Sequence, residues 1–223
     1  MTSLAKEFCQ EMLAREVLRF GDFTLKSGRQ TPYFFQFGEM FKNGRDLSTL
    51  GDFYARAILE LNIEDSFDVL YGAAYKGIPI AVATSIALHG HGVLKDASFN
   101  RKEMKAHGEG GWLIGAGLAH KKVLILDDVI TDGEQKLEAA RLIESAGGEV
   151  KGILIGLDRA EASLDSIDGL PQFQISDSGS SVPLYSIAHF DDVVALLRDS
   201  DGFDESIVQS MLDYQTSIMD DNA

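Results

Sequence analysis

The chain has 223 residues, 45% of them hydrophobic, which is enough for one folded domain with a full-sized core and excludes a disordered chain. Its formal net charge of −15 argues against nucleic acid and an anionic membrane surface as partners, because both attract basic proteins. A single cysteine excludes an intrachain disulfide, and neither a signal peptide nor an apolar run of membrane-spanning length is visible, so we expect a cytoplasmic protein.

The N-terminal segment predicts a helix followed by a hairpin. Apolar residues at helical spacing indicate an amphipathic helix with Ser3 as its N-cap and Gly21 at its end. The next stretch, FTLKSGRQTPYFFQF, alternates and is rich in aromatic residues, which predicts two strands around a Ser-Gly turn. We expect a single domain over residues 1–223, in which residues of about 1–40 form a small hood.

The middle of the chain alternates between strands and helices, which predicts an α/β fold with a mainly parallel, twisted sheet flanked by helices. Nine acidic residues and one basic residue follow from Asp191 onward, so the segment of about 189–223 predicts an acidic tail of one or two helices. In chain order, the middle elements are a helix over 46–61, a strand in FDVLYG, a helix in YKGIPIAVATSIAL, a polar loop between short strands in ASFNRKEMKAHGEGGW, a strand in KVLILDD, a helix over 133–146 and a strand in VKGILIGLDR.

Polar residues follow three of the predicted strands. Tyr75 and Lys76 follow VLYGAA, residues 127–135 follow VLIL, and Asp158 with Arg159 follows ILIGL. A parallel sheet binds its ligands beyond the carboxyl ends of its strands. We therefore expect all three sets to open on the same edge of the sheet.

The stretch VLILDDVITDGEQ combines an acid pair with a glycine turn before a helix. The free backbone N–H groups of the turn and the helix N-terminus favour an anion. Asp127 and Asp128 can hydrogen-bond sugar hydroxyls or hold a divalent cation through water. A sugar phosphate or a metal-bound polyphosphate would satisfy both features. A solvated acidic turn is the plain alternative, whereas a receiver domain would carry its acids after the first strand.

Two further groups of residues favour an anionic, planar ligand. The stretch NRKEMKAHGEGG reads as a lid with a glycine hinge over an anion, or as a solvated charged loop. Its cationic candidates are Arg101, Lys102, Lys105 and His107. Lys26 could offer a charge to a phosphate, and Phe34 with Phe35 could flank a flat ring, although such a pair is more often part of a core. Arg159 could bind a carboxylate or form a structural ion pair with Asp158 or Glu161.

Four segments together resemble the signature segments of the orotate phosphoribosyltransferase family. They are FTLKSGRQTPYFF, GAAYKGIPIA, FNRKEMKAHGEGG and VLILDDVIT, and they span about Phe20 to Arg159 in the family's order and spacing. The last segment alone would indicate any phosphoribosyltransferase, but the first and third are specific to the orotate branch. A purine-base transferase therefore lacks support.

The resemblance implies the type I phosphoribosyltransferase fold and the transfer of ribose 5-phosphate from phosphoribosyl diphosphate to orotate. The products would be orotidine 5′-phosphate and diphosphate, in pyrimidine (UMP) biosynthesis, with Mg²⁺ bound to the diphosphate. It also implies a homodimer in which each lid completes the active site of the neighbouring subunit. The implied catalytic residues are Lys102, Lys105, His107, Asp127 and Asp128. The implied substrate contacts are Lys26, Tyr75, Lys76, Arg101 and residues 129–135 for phosphoribosyl diphosphate, and Phe34, Phe35 and Arg159, with Thr131 nearby, for orotate.

One segment departs from the family pattern. The phosphate loop of the family usually reads Thr-Ala-Gly-Thr-Ala, whereas this chain has Val129, Ile130, Thr131, Asp132, Gly133, Glu134 and Gln135. Like charges about 4 Å apart repel by ~4 kcal/mol at an effective dielectric near 20, so we expect weakened binding of the 5′-phosphate. The acidic side chains could point outward, the chain could be a weak enzyme, or Glu134 could close the anion site. A non-catalytic binding protein of the same fold is the alternative function.

Overall fold

The computed structural model describes residues 1–24, 28–105, 111–130, 133–161, 164–175, 180–200 and 204–221, with the backbone alone for 102–105, 220 and 221. The helices are α1 (Ser3–Ala14), α2 (Gly44–Glu60), α3 (Gly77–Gly90), α4 (Glu134–Ser145), α5 (Phe190–Arg198) and α6 (Glu205–Asp221). The strands are β1 (Leu18–Thr24), β2 (Gln30–Phe35), β3 (Val69–Gly72), β4 (Asp96–Lys105), β5 (Gly111–Gly115), β6 (Lys122–Ile130), β7 (Glu149–Asp158), β8 (Asp165–Ile167), β9 (Leu170–Gln174) and β10 (Ser181–His189).

A mainly parallel sheet forms the centre of the molecule and confirms the predicted fold class. Its strand order is β5-β4-β3-β6-β7-β10-β9-β8. Strands β4, β3, β6, β7 and β10 run parallel to one another, and antiparallel strands extend both edges. Strands β1 and β2 pair in a separate antiparallel hairpin. The carboxyl ends of β3, β6 and β7 therefore lie side by side.

Strand β6 is buried on both faces. Leu124 and Leu126 point into a core shared with α1, α2 and α3, whereas Val123 and Ile125 point into a second core that α4 covers. Alternate side chains of a strand point to opposite faces, so a strand covered on both sides must be apolar throughout. This explains why VLIL is continuous rather than alternating.

Two sequence predictions about the N-terminal helix were wrong in detail. Helix α1 is capped by Thr2, whose hydroxyl accepts a hydrogen bond from Ala5 N–H at 3.1 Å, so Ser3 is the first helical residue instead of the cap. The helix ends at Ala14 rather than near Gly21, because Glu16 adopts a left-handed conformation with φ of 55° and the chain then enters β1.

Residues 97–105 and 111–112, which the sequence predicted as part of a polar loop, lie in β4 and β5, and residues 106–110 lie outside the described residues. The first half of β4 pairs with β3 and also with β5, so neighbours on both sides supply hydrogen bonds that the polar composition did not predict. Strands β8, β9 and β10 were not assigned from the sequence, and β8 is exposed along its length. The remaining predicted strands and helices are present with small shifts of their ends.

The acidic tail forms two helices that contribute to the core. Helix α6 buries Val208, Met211 and Ile218, and the Tyr214 ring meets the Tyr33 ring of β2 edge-on, with the centroids 5.6 Å apart. Helix α6 is therefore amphipathic: its acidic side faces the solvent and its apolar side faces the core. The division into a hood, a body and a tail stays a prediction.

We expect Gly51→Ala to destabilise the fold by about 1–3 kcal/mol, because overpacking of a tight contact forces the backbone to shift. A Cβ at Gly51 of α2 would lie 2.4 Å from the Ala83 carbonyl oxygen of α3. The free energy of unfolding from urea titration measures the change. Gly44→Ala is the matched control on the same helix, since no described atom lies within 4 Å of a Cβ there. Equal changes for the two variants would contradict the close approach.

Candidate functional site

The acid pair at the end of β6 is buried and fully hydrogen-bonded. Asp128 accepts a bond from Val129 N–H at 2.9 Å and one from the Lys76 ammonium at 2.6 Å. Asp127 accepts a bond from Asp128 N–H at 3.0 Å and one from the Lys136 ammonium at 2.5 Å. Burial raises the pKa of Asp127, and the Lys136 ammonium opposes that rise. Each aspartate therefore has its own lysine.

The two lysines differ in their exposure. The Lys76 side chain is 53% exposed and comes from the segment between β3 and α3, as the sequence predicted for this edge of the sheet. The Lys136 side chain is 6% exposed and comes from the first turn of α4. An exposed lysine can change partner at little cost, whereas a buried one cannot.

Lys136 is the functional candidate that the sequence reading missed. Its ammonium also bonds to the Val129 carbonyl oxygen at 2.5 Å. The signal was present, because Lys136, Ala139, Ala140 and Ile143 share the buried stripe of α4 at helical spacing. A charged residue on an apolar stripe indicates a buried ion pair, since lysine is almost never buried without a partner.

The turn between β6 and α4 has the geometry of an anion site as far as it is described. Gly133 precedes the first residue of α4 with a left-handed φ of 75°. The side chains of Glu134 and Gln135 are exposed, Val129 is half-buried and Ile130 is buried. Thr131 and Asp132 lie outside the described residues. The α4 N-terminus can donate backbone N–H groups to an anion at this turn.

The aromatic candidates do not form one platform. Successive residues of β2 face opposite sides, so Phe35 is buried in the core while Phe34 is 37% exposed and packs on Phe23, with ring centroids 5.8 Å apart. On this surface the Phe34 ring is accessible to a flat ligand and the Phe35 ring is not, and the contact of the pair with such a ligand stays a prediction. The Phe34 ring faces outward and the Phe35 ring faces inward.

Arg159 lies at the carboxyl end of β7, beneath the hairpin of β1 and β2. Its guanidinium carbon is 5.5 Å from the centre of the Tyr33 ring and 5.6 Å from that of Phe35. Its Nη2 donates to Glu161 at 2.5 Å, so of the two acids suggested by the sequence, Glu161 is the partner of this bond. Burial raises the pKa of Glu161 against the pull of Arg159. Arg159 Nε has no hydrogen-bond partner among the described residues.

The predicted lid is described only in part. Arg101 lies in β4, and its Nε is buried without a hydrogen-bond partner in the described part of the chain. Lys102 and Lys105 lie in the same strand and are described by their backbone alone. His107 lies outside the described residues, and so does Lys26 between β1 and β2. Tyr75 is exposed next to Lys76. Ala74 N–H donates to Asn100 Oδ1 at 2.9 Å, which joins the Tyr75 segment to β4.

Among the described residues, no group of three or more His, Cys, Asp or Glu side chains could hold a metal ion by itself. No described helix has both the length and the apolar run that a membrane crossing requires.

The fold and the site define a class of protein. The parallel sheet, the acid pair at the end of its central strand, and the glycine turn leading into a helix are the features of the type I phosphoribosyltransferase fold. The crystal structure of an orotate phosphoribosyltransferase from Francisella tularensis has this fold, with a TM-score of 0.75 at 31% identity over 95% of this chain and 98% of that one.

Sequence comparison identifies the family. No protein-family model matches the chain. An orotate phosphoribosyltransferase of Bordetella pertussis is 46% identical over 209 residues, which cover 91% of this chain and 92% of that protein. One of Chromohalobacter salexigens is 49% identical over 207 residues, which cover 90% of this chain and 86% of that protein. The chain therefore belongs to the orotate phosphoribosyltransferase family, and the resemblance inferred from the four motifs is confirmed.

Beside Arg159, the contact between His189 and Asp158 predicts a pH-dependent stability. The His189 Nδ1 and Asp158 Oδ2 atoms are 3.7 Å apart, and the Asp158 carboxylate raises the pKa of His189 above its ordinary value. The protonated imidazole thus stabilises the fold below about pH 6.5, and this contribution is lost as the pH rises through the folded pKa. Since His189 is half-exposed, we expect about 1 kcal/mol or less.

Thermal unfolding of the unaltered chain and of His189→Gln checks this expectation. The Tm difference between them should be larger at pH 5.5 than at pH 8.5, by about 2–4 °C at most. In an Asp158→Asn background the pH dependence of that difference should shrink, because Asp158 makes the largest contribution and the nearby Asp191 and Asp192 remain. A pH-independent Tm difference would contradict the assigned interaction.

Proposed function

We propose that the chain transfers ribose 5-phosphate from phosphoribosyl diphosphate to orotate in pyrimidine biosynthesis. The ribose C1–oxygen bond to diphosphate breaks, a bond from C1 to N1 of orotate forms, and the proton of N1 passes to the released diphosphate. The observation that carries the proposal is the Lys76–Asp128 contact at the carboxyl edge of the sheet of a member of this family. The net charge of −15 and the single, buried Cys9 are consistent with a cytoplasmic enzyme without a nucleic-acid or membrane partner.

The Lys76–Asp128 pair supplies complementary groups for the two ends of the breaking bond. Its ammonium suits the diphosphate, whose negative charge grows as the bond breaks, and its carboxylate suits the ribose hydroxyls. The two groups are 2.6 Å apart, and Lys76 is sufficiently exposed to leave Asp128 for an incoming diphosphate. Asp127 stays bonded to Lys136, so Asp128 is the acid nearer to the substrate in this proposal.

Arg159 would bind the carboxylate of orotate. The guanidinium has five N–H donors, and Glu161 accepts from one of its terminal nitrogens. Tyr33 and Phe35 hold the group in place from one side. Phe34, the outward ring of the pair, is then the aromatic side chain able to contact the flat orotate ring, while Phe35 contributes through its backbone.

The residues fit a Mg²⁺ ion that is held mainly by the diphosphate. Both oxygens of Asp127 are engaged, by the buried Lys136 and by Asp128 N–H, whereas one oxygen of Asp128 accepts from the half-exposed Lys76 and can contact a metal-bound water once Lys76 turns to the diphosphate. Bound Mg²⁺ would neutralise part of the charge on the leaving diphosphate.

The acidic turn is the point at which this chain departs from its family. The exposed Glu134 side chain supports the explanation that the acids point outward while the backbone holds the 5′-phosphate. Residue 132 is undescribed, so the direction of its side chain stays part of the proposal. Outward carboxylates still repel a phosphate, but solvent screens them to about 1 kcal/mol each at 4 Å.

A second copy of the chain would cover α3 and share the lid. Helix α3 is apolar on all sides, although one side faces away from the body of the protein. Ile86 and Val82, one helical turn apart on that side, are 69% and 39% exposed, and Ile114 of β5 is 39% exposed. A helix that is apolar all round is normally buried. Because β5 follows directly on the lid segment, this face is suited to place the lid of one subunit near the neighbour's site.

We expect Lys105→Ala to lower kcat by about 10²–10³-fold, as the removal of one group that stabilises developing charge does. The loss of orotate absorbance, followed with phosphoribosyl diphosphate and Mg²⁺, measures the rate. Lys151→Ala is the control, because Lys151 lies near the amino end of β7 and the site lies at the carboxyl ends of the strands. This variant should keep its activity within about twofold. No turnover by the unaltered chain at any substrate concentration would favour a binding protein instead.

Mixing two inactive variants tests the shared lid. Asp128→Asn and Lys105→Ala impair opposite halves of a shared site, so a hybrid dimer retains one intact site. After subunit exchange we expect about a quarter of the activity of the unaltered enzyme, as random pairing in a twofold dimer gives. A mixture as inactive as its components would contradict a lid shared between subunits.

We expect Asp132→Ala with Glu134→Thr to tighten binding of phosphoribosyl diphosphate by about 30-fold, because two screened repulsions of about 1 kcal/mol each are removed. Calorimetric titration with Mg²⁺ present measures the dissociation constant. Glu144→Thr removes one negative charge at the far end of α4 and should leave the dissociation constant unchanged. A micromolar constant for the unaltered chain, or no gain in the double variant, would contradict weakened binding.

A further inference from the structure

Lys136 connects the end of β6 with the beginning of α4. It is the third residue of α4, and its side chain runs back to bond with Asp127 and with the Val129 carbonyl, each at 2.5 Å. The residues between these contact points form the turn that would receive the 5′-phosphate. The lysine thus bridges both sides of the turn from the protein interior.

The position is electrostatically unusual. A cation in the first turn of a helix meets the positive end of the helix dipole, and burial removes its water. Both effects disfavour a lysine at residue 136 unless acceptors compensate. The Asp127 carboxylate and the Val129 carbonyl provide this compensation, and the side chain remains 6% exposed.

The ion pair between Lys136 and Asp127 also lowers the negative charge next to the turn between β6 and α4. Asp127, Asp132 and Glu134 would together place three negative charges around the position of a phosphate. Lys136 cancels the one that is buried, where the dielectric is lowest and repulsion is strongest. Glu134 is exposed, so solvent screens its charge.

We propose that Lys136 is a positioning residue for phosphoribosyl diphosphate, which holds Asp127 and the Val129 carbonyl in place and balances the charge of the acidic turn. The inference rests on the proposed function, because it assigns the turn to the 5′-phosphate. It requires no direct contact between Lys136 and the substrate. Its effect is therefore confined to the substrate that carries the phosphate.

The test compares how Lys136→Met, a side chain of similar length without the charge, changes the KM for phosphoribosyl diphosphate and the KM for orotate. Below its Tm, we expect the KM for phosphoribosyl diphosphate to rise about tenfold or more and the KM for orotate to stay within about twofold. Lys122→Met, at the other end of β6, should leave both constants unchanged. Adding Asp132→Ala and Glu134→Thr to Lys136→Met should recover most of the lost affinity.

Unchanged constants in folded Lys136→Met, or an equal rise in both, would overturn the inference. Turnover by the unaltered chain decides the proposed function separately. If Lys136→Met does not fold, Asp127→Asn with Lys136→Met removes the unpaired buried charge and is compared with Asp127→Asn alone. Weaker calorimetric binding of phosphoribosyl diphosphate by the double variant than by the single one supports the role of Lys136, and equal binding overturns it.

Discussion

Two carboxylates at the end of a strand that is buried on both faces are the constraint on which this structure depends. The apolar side chains of β6 fill one core or the other, so no face of the strand remains for water. Asp127 and Asp128 consequently lie at the carboxyl edge of the sheet but remain buried, each with only 5% of its surface exposed. An unpaired charge in such a place costs several kcal/mol, so the surrounding elements must supply cations.

The cations come from two elements on opposite sides of β6 and give the two acids different roles. Lys76, between β3 and α3, pairs with Asp128 from a half-exposed position, and Lys136 of α4 pairs with Asp127 from a buried one. An exposed pair can be opened by a charged substrate, whereas a buried pair holds the architecture. In the proposed function, Asp128 is the acid available to the substrate, because Asp127 is bonded to the buried lysine. Tyr54 reinforces this arrangement, since its hydroxyl donates to the Asp127 carbonyl at 2.6 Å.

Ion pairing and burial also explain the arrangement of the residues around the site. Arg159 is buried with Glu161 and with the rings of Tyr33 and Phe35, so the arginine at the end of β7 is held by the hairpin of β1 and β2. Helix α6 packs on this hairpin through Tyr214, which links the acidic tail to the same region. Val82 and Ile86 on the outer side of α3 are exposed, and the proposed second copy of the chain would cover them.

The sequence by itself determined the α/β class, the parallel order of strands and helices, and the edge at which the site lies. These properties are local, because an uninterrupted run such as VLIL and the helical spacing of its neighbours can be read within a few residues. Motif spacing further indicated the family. The strand in 97–112 and the exposed strand β8 escaped prediction, because their hydrogen bonds come from neighbouring strands and their composition is polar. Only the tertiary structure decided that Asp127 pairs with Lys136 and Asp128 with Lys76, and that the Phe35 face of β2 is buried while the Phe34 face is exposed. The reason is physical, since burial and ion pairing depend on which distant residues are brought together, and a single local pattern does not contain that information.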